Sequence, residues 1–332
     1  MLRELAREAD KDEKELARDI GIDPRTAKKV LEDGDWELSR GKLEKLMLYA
    51  VRHGYPNGIF LIEPDPLWRS FQKRTDTVVY RGPHGYDTDA ETNITQHLQL
   101  MNGNRETRME TGRRGKSDEI AKAMKSRNCI FVGSPKHNAA TEIALALLCG
   151  AEPFDTKARN RERFPVQVLG MEPADAKASA VLTAGARHGF DVIPPDDPKR
   201  HFIRMDWRPK KDYDSWHGTA WDVAVIGICH APLGTSENVT TIIIMGYTGL
   251  ATLVATQQLT QQFTQADRTY PQLTEEEAPF TEGQLAEAGK LHLAAFRFKF
   301  TKSSSRSHTD ARDRRKPVKD SGKWLPPWTD SD

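Results

Sequence analysis

The chain has little cysteine, and no pair of cysteines stands at the spacing of a disulfide or zinc framework. Only Cys129, Cys149 and Cys229 occur in 332 residues, far apart and without a CxxC pair. A small disulfide scaffold or a zinc knuckle needs cysteines at close, regular spacing, so both classes are excluded. We predict that the three cysteines are small core residues of a cytoplasmic protein, in which thiols stay reduced. No metal site is predicted.

Long hydrophobic runs are also lacking. Residues 1–15 carry charges throughout, unlike a secretory signal. The longest uncharged stretch, residues 239–266, contains several threonines and glutamines and a Gly-Tyr-Thr-Gly interruption. These interruptions favour a buried strand followed by a helix over a membrane span. We therefore predict no membrane partner.

Neither sign of charge is in excess. Lys and Arg number 49 against 48 for Asp and Glu, a formal net charge of +1. The whole chain therefore has no general attraction to nucleic acid or to an anionic membrane, and any basic surface must be local. A hydrophobic content of 37% with 29% charged residues is ordinary for a soluble globular protein.

The length and the change in pattern along the chain predict an α/β protein of two domains with a tail. Residues 1–55 have helical spacing and predict an all-α helix-turn-helix domain; residues 56–116 predict a connector with short strands and a polar loop. Apolar runs alternate with helices in residues 117–300, which predicts a Rossmann-like, mostly parallel sheet. Residues 301–332 have few aliphatic side chains and predict a disordered tail.

Residues 15–31 meet the requirements of a helix-turn-helix. Ala17 is the small residue needed where two crossing helices touch, and Gly21 tolerates the positive φ of the turn. Asp23 is the predicted N-cap of the second helix, with Pro24 at the first helical position, where no N–H is needed. With the helices around it, the segment resembles the lambda-repressor-like (XRE-type) helix-turn-helix.

That resemblance implies double-stranded DNA as a partner and a homo-oligomer, such as a dimer, that reads paired half-sites. The second helix would lie in the major groove, with four residues facing bases and phosphates: Arg25, Thr26, Lys28 and Lys29. A helical bundle used for protein contacts is the alternative. Residues 1–54 hold 12 Lys and Arg against 13 Asp and Glu, so this domain is not basic overall.

Two glycine loops of the second domain form the candidate ligand site. Residues 133–138 and residues 246–249 each connect an apolar run to a helix, whose first N–H groups favour an anion. Ligands of open parallel sheets bind beyond the carboxyl ends of strands, so both loops are expected to frame one pocket. The cofactor is not specified, but a nucleotide such as NAD fits this chemistry. The candidate ligand-binding residues are Gly133, Ser134, Lys136, His137, Asn138, Thr141, Gly246, Tyr247, Thr248 and Gly249.

The two loops also have a purely structural interpretation. Neither is GxGxxG or GxxxxGK[ST], the loop motifs of the common nucleotide-binding folds. In this interpretation the glycines end strands, and Asn138 caps a helix.

Glu142 is a candidate nucleophile. It follows Thr141 in the first turn of an alanine-rich helix, after a strand and a polar loop, and residues 128–154 weakly resemble nucleoside deoxyribosyltransferases and related nucleotide-cleaving folds. The resemblance implies that Glu142 attacks or stabilises the sugar carbon released from its base. A glutamate in a first turn also simply complements the helix dipole, and that alternative stays open.

The predicted function is a DNA-binding regulator whose Rossmann-like domain senses a nucleotide-type or phosphate-bearing small molecule. The alternative is an enzyme that cleaves an N-glycosidic or nucleotide bond, either deoxyribosyltransferase-like or NAD-consuming, with the helix-turn-helix as a docking domain. A third possibility is an adaptor that binds no ligand.

Overall fold

The computed structural model describes residues 13–20, 23, 25, 66–68, 71, 76–102, 107–111, 116–193, 199–206, 218–235, 239–260, 279–302, 315–318 and 321–325. The chain divides into two compact units, residues 1–65 with 96–105, and residues 66–95 with 106–332. In the first unit, helix α1 (Glu13–Ile20) buries Ala17 completely and exposes Glu15 and Arg18. Most of the predicted helix-turn-helix lies outside the described residues.

Strands and helices alternate from residue 77 onward. The strands are β1 Thr77–Arg81, β2 Thr107–Thr111, β3 Asn128–Val132, β4 Val166–Met171, β5 Leu182–Ala184, β6 Gly189–Val192, β7 His201–Arg204, β8 Gly218–His230, β9 Thr240–Gly246, β10 His292–Lys302, β11 Arg315–Pro317 and β12 Lys323–Leu325. The helices after α1 are α2 Gly85–Asn102, α3 Ser117–Ser126, α4 Ala139–Cys149, α5 Ala158–Arg161, α6 Pro173–Lys177, α7 Gly249–Thr260 and α8 Glu282–Ala286. Single 3-10 turns cover Pro66–Trp68 and Pro232–Gly234.

The main sheet is mixed. Its eight strands run in the order β11-β10-β8-β9-β3-β1-β2, with β12 also paired to β10. Strands β2, β1, β3 and β9 are parallel, whereas β8, β10, β11 and β12 form antiparallel pairs. The α/β class is therefore correct, but the prediction of a mostly parallel sheet was wrong. Residues 231–239 are too few for the crossover that a parallel β8–β9 pair requires, and an apolar run does not encode strand direction.

A smaller sheet is inserted between α4 and β8. Its order is β5-β4-β6-β7, with β4 and β5 parallel and the other pairs antiparallel. Buried side chains of both sheets belong to one apolar core, which includes Phe131 of β3, Phe190 of β6 and Val225 of β8. This shared core connects the smaller sheet to both the parallel and the antiparallel strands of the main sheet.

Local sequence signals located α4 and the β9–α7 unit correctly. Asn138 caps α4 by accepting a hydrogen bond from the Ala140 N–H (3.1 Å), and Gly150 ends the helix with φ of 66°. The uncharged stretch from residue 239 is the buried strand β9 followed by helix α7, as predicted. None of the helices in the described residues is long and apolar enough to cross a membrane.

The interpretation of residues 83–116 as a polar loop was wrong. This region contains the 18-residue helix α2 and strand β2, and β1 before it is an interior strand of the sheet. Helix α2 has little apolar periodicity in its sequence, because the buried aliphatic residues among its residues 85–98 are Ala90, Ile94 and Leu98, one per turn between polar residues.

The tail also departs from the prediction. Residues 301–332 were expected to be disordered, yet β11 and β12 both pair with β10. Trp324 is 6% exposed, and its ring centroid lies 5.0 Å from that of Phe296. Two short segments of the tail, β11 and β12, are stabilised by pairing with β10. Amino-acid composition does not reveal such pairing.

Candidate functional site

A cavity of about 360 Å³ opens at the carboxyl ends of β1, β3 and β9. Its lining comes from residues 84–87 after β1, Ser134 and His137 after β3, residues 246–249 with Thr252 after β9, and Arg315 of β11. From β1 the chain passes to β2 on one side of it and then to β3 on the other, so the strand order reverses at this point. Open α/β sheets bind ligands at such a reversal, and the volume lies within the range of small-molecule pockets.

The first predicted loop contributes two of its six candidates to the cavity lining, Ser134 and His137. The others build the loop. Asn138 donates hydrogen bonds from Nδ2 to the carbonyls of Tyr80 (3.1 Å) and Val132 (3.0 Å), which ties the ends of β1 and β3 together.

Thr141 and Lys136 also use their side chains in contacts within the protein. Thr141 donates its hydroxyl to the Gly133 carbonyl (2.9 Å), and Gly133 has a φ of 107°, a conformation that favours glycine. Lys136 is exposed and its Nζ lies 2.9 Å from Oδ2 of Asp175. Gly133, Lys136 and Thr141 are therefore not part of the cavity lining.

The second predicted loop lines the cavity with all four of its candidates, residues 246–249. Thr248 donates its hydroxyl to Oδ2 of Asp222 (2.5 Å) and accepts a hydrogen bond from the Ala251 N–H (3.3 Å), so it couples β8 to the start of α7. Burial raises the pKa of Asp222 to about 6, although the Thr248 bond and the Arg315 charge act in the opposite direction. Thr248 thus caps one of the first N–H groups of α7; the others have no partners inside the helix, so this end of the cavity favours an anion.

Tyr247 anchors the second loop to the smaller sheet. Its hydroxyl donates to the Leu169 carbonyl (2.9 Å) and lies 2.9 Å from Nδ1 of His188. Burial, together with the Asp222 charge, raises the pKa of Tyr247, so the hydroxyl stays protonated at neutral pH. The smaller sheet therefore holds one wall of the cavity in place.

Residues 84–87 were not among the predicted site residues. His84 and His137 both line the cavity and are in contact, with Nε2 of His84 2.9 Å from Nδ1 of His137. Burial, the His84 ring and Lys136 lower the pKa of His137, so this ring is neutral at neutral pH. The available signal was the short apolar run of residues 78–80, followed by Arg81 and then Gly82, which gives a strand and a glycine loop as in the two loops that were recognised.

Asp87 is the buried acid of the cavity. It is 3% exposed and stands in the first turn of α2. Burial raises its pKa to about 6, against the opposing charges of His84 and Arg81 and a hydrogen bond from the His84 backbone. Its Oδ2 accepts no hydrogen bond from any residue that the structure describes.

Arg315 reaches the cavity from the tail. Strand β11 pairs with β10 so that Arg315 lies opposite Lys302, and its guanidinium carbon lies 5.5 Å from the centroid of the Tyr86 ring. Tyr86 in turn packs against Gly249, where a Cβ would lie 2.8 Å from the ring. A segment predicted to be disordered therefore supplies a cationic side chain next to the amino end of α7.

Comparison of the chain with models of known protein families, with curated proteins and with solved structures finds no match. The interpretation of the cavity therefore depends on its geometry. Within the described ranges, no group of three or more His, Cys, Asp or Glu side chains stands close enough to hold a metal ion.

Glu142 lies apart from the cavity lining. It is completely buried, and its carboxylate accepts hydrogen bonds from the Phe154 N–H (2.8 Å), the Ala180 N–H (2.7 Å) and the Ser179 hydroxyl. These contacts hold two loops against α4. They favour a structural role over the role of nucleophile that the resemblance implied.

The predicted DNA-binding residues fall largely outside the described part of the chain. Arg25 is helical and exposed. Thr26, Lys28 and Lys29 lie outside the described residues, so the structure does not locate them.

Proposed function

We propose that the second unit binds a phosphate-bearing, nucleotide-type small molecule in the cavity at the ends of β1, β3 and β9. The observation that carries this proposal is the convergence of Arg315 and the amino end of α7 on one wall of the cavity. Arginine pairs with phosphate oxygens through several N–H groups, and helix N–H groups add further donors. The Tyr86 ring, which also lines the cavity, carries the Arg315 guanidinium over its face and so holds this cation at the cavity wall.

Thermal unfolding in the presence of AMP, ATP, NAD or inorganic phosphate tests this proposal. A ligand at a hundred times its dissociation constant stabilises the folded state by about 2.7 kcal/mol, which a melting curve resolves. We expect at least one nucleotide to raise the Tm of the full chain and Arg315→Ala to lose that response. Lys316→Ala, an exposed neighbour of equal charge, is the matched control and should respond as the wild type does.

Two results would overturn the proposal. One is a wild-type Tm that none of the probes raises. The other is an Arg315→Ala protein that unfolds at the wild-type temperature without ligand and responds to nucleotides as strongly as the wild type.

DNA binding by the first unit is the other half of the proposed function, a ligand-responsive regulator that binds DNA as a homo-oligomer. The sequence of residues 15–31 supports it, and the complete burial of Ala17 agrees with the small residue that crossing helices need at their contact. Nucleotide binding would act by favouring one arrangement of the DNA-binding units over another.

An enzyme that cleaves an N-glycosidic bond is a second candidate function. The observation that favours it is the presence of Asp87, His84 and His137 in the cavity, because carboxyl and imidazole groups are the usual proton carriers in catalysis. In this candidate Asp87, rather than Glu142, faces the substrate. Incubation of the purified protein with NAD and nucleosides tests it, since release of free base would establish turnover.

A further inference from the structure

The carboxylate of Asp87 lies in a recess formed by two glycines. A Cβ at Gly82 would lie 2.3 Å from Oδ2 of Asp87, and a Cβ at Gly133 would lie 3.0 Å from the same atom. Any other residue at these positions would displace the carboxylate. The ends of β1 and β3 thus leave room for one acidic side chain at the floor of the cavity.

That carboxylate is short of hydrogen-bond donors. Its Oδ2 is buried and accepts no bond from the described residues. An ionised carboxylate can only accept hydrogen bonds, and a buried acceptor without a donor is costly. The Arg81 guanidinium already supplies positive charge nearby. The group that is missing is therefore a hydrogen-bond donor and not a countercharge.

The Asp87 carboxylate lies against the ends of β1 and β3, and the anion-favouring wall follows β9, the other neighbour of β3. Neighbouring strands are about 5 Å apart, so the carboxylate and that wall are separated by one to two strand spacings, about 5–10 Å. A ligand that contacts both walls carries an anionic group at one end and neutral donors a few bonds away.

We propose that Asp87 recognises the ribose of the ligand by accepting hydrogen bonds from its vicinal 2′- and 3′-hydroxyl groups, while the phosphate lies at Arg315 and the amino end of α7. The inference rests on the proposed nucleotide binding and makes it more specific, because it names ribonucleotides as the ligand class. A carboxylate is a suitable partner for a ribose hydroxyl, as acidic side chains of dinucleotide-binding folds show.

The test compares ribonucleoside 5′-monophosphates of the four common bases with their 2′,3′-dideoxy counterparts, by calorimetric titration of the full chain. Hydrogen bonds to a charged group differ from their absence by roughly ten- to a hundredfold in affinity. We expect the wild type to prefer the ribose form by that ratio. Asp87→Asn should weaken binding of the ribose form and leave the dideoxy form unchanged, whereas Asp89→Asn, exposed on the same helix, should keep the wild-type preference.

Each outcome has one meaning. Equal affinity of the wild type for ribose and dideoxy forms overturns the role of Asp87 and leaves nucleotide binding intact. An Asp87→Asn protein that keeps the full ribose preference overturns it as well. Binding of none of the nucleotides overturns both proposals. The wild-type ratio needs no variant, so the test remains decisive even if Asp87→Asn fails to fold.

Discussion

At the scale of single residues, Asp87 has the properties expected of a side chain kept for function. Asp87 is 3% exposed, and its Oδ2 accepts no hydrogen bond from the described residues. When this carboxylate is ionised, it therefore lowers the stability of the folded state. Its pKa of about 6 expresses that cost, because burial disfavours the charged form more than Arg81 and His84 favour it.

The pH dependence of stability follows from the direction of this shift. The pKa of Asp87 in the folded state, about 6, lies above the ordinary value of 3.8, so its stabilising contribution is complete below about pH 4 and is lost as the pH rises through 6. We expect Asp87→Asn to raise the free energy of unfolding at neutral pH, on the order of 2 kcal/mol, with little effect near pH 4. Urea unfolding over a pH series measures this. A difference that does not change with pH would contradict it, and Asp89→Asn is the exposed control.

Glu142 illustrates the opposite case, a buried acid with its acceptors in use. Glu142→Gln replaces one carboxylate oxygen by an amide group, which can only donate and would face an N–H or hydroxyl donor. We expect a loss of about 1–3 kcal/mol in the free energy of unfolding, measured in urea. Any base-release activity, scaled to the folded fraction, should remain. A Glu142→Gln protein with wild-type stability and no turnover would instead support the role of nucleophile.

At the scale of elements, the loop from β9 to α7 depends on close packing of its own backbone. A Cβ at Gly246 would lie 2.1 Å from the Thr252 nitrogen and 2.4 Å from the Thr248 oxygen. The Gly246 N–H also donates to Oγ1 of Thr252 (3.0 Å), which closes the turn. The glycine is therefore required by the loop itself, with or without a ligand.

Gly246→Ala should lower the free energy of unfolding, because backbone atoms must move to admit the methyl group. We expect a loss of about 1–3 kcal/mol in urea unfolding, typical of an overpacked interior. Gly283→Ala in α8 is the control, since its Cβ would meet only the Thr281 hydroxyl at 3.8 Å and should not destabilise the protein. Equal stability of the two variants would show that the turn can relax at no cost.

The elements differ in how well the sequence predicted them. Helix α4 has a capping asparagine, an apolar body and a terminal glycine, all of which are local signals, and in the structure it begins directly after that asparagine and ends before the glycine, at residues 139–149. Helix α2 has a polar sequence with one aliphatic residue per turn, so composition predicted a loop. Residues 84–87, which lie at the start of α2 and line the cavity, were not predicted as site residues for the same reason.

At the scale of the whole molecule, the balanced charge of the chain requires that any DNA contact be local. Residues 25–29 hold the basic side chains that the helix-turn-helix resemblance assigns to the major groove. Replacing residues there should therefore affect DNA binding far more than removing the same charge elsewhere.

The variant with Arg25, Lys28 and Lys29 all replaced by alanine tests this. Each base contact that is lost costs about 1–3 kcal/mol, so specific binding should disappear while the melting temperature is kept. Fluorescence anisotropy with genomic duplex fragments is the measurement. A variant with Lys122, Lys125 and Lys157 replaced, three exposed lysines of the second unit, removes as much charge and should bind as the wild type does. Equal binding by both triple variants would contradict the DNA-binding proposal.

The sequence by itself determined the α/β class, the bounds of α4, the β9–α7 unit and the positions of the two glycine loops, because caps, turns and apolar runs act within a few residues. Tertiary structure decided the mixed strand directions of the main sheet, the presence of residues 84–87 in the cavity lining and the position of Arg315, which the pairing of β11 with β10 places at the cavity. It also engaged Glu142 in contacts with loops far along the chain. The reason is physical: strand pairing and burial join segments remote in sequence, and the free energy that selects one pairing comes from all the surfaces it buries, so no local pattern records it.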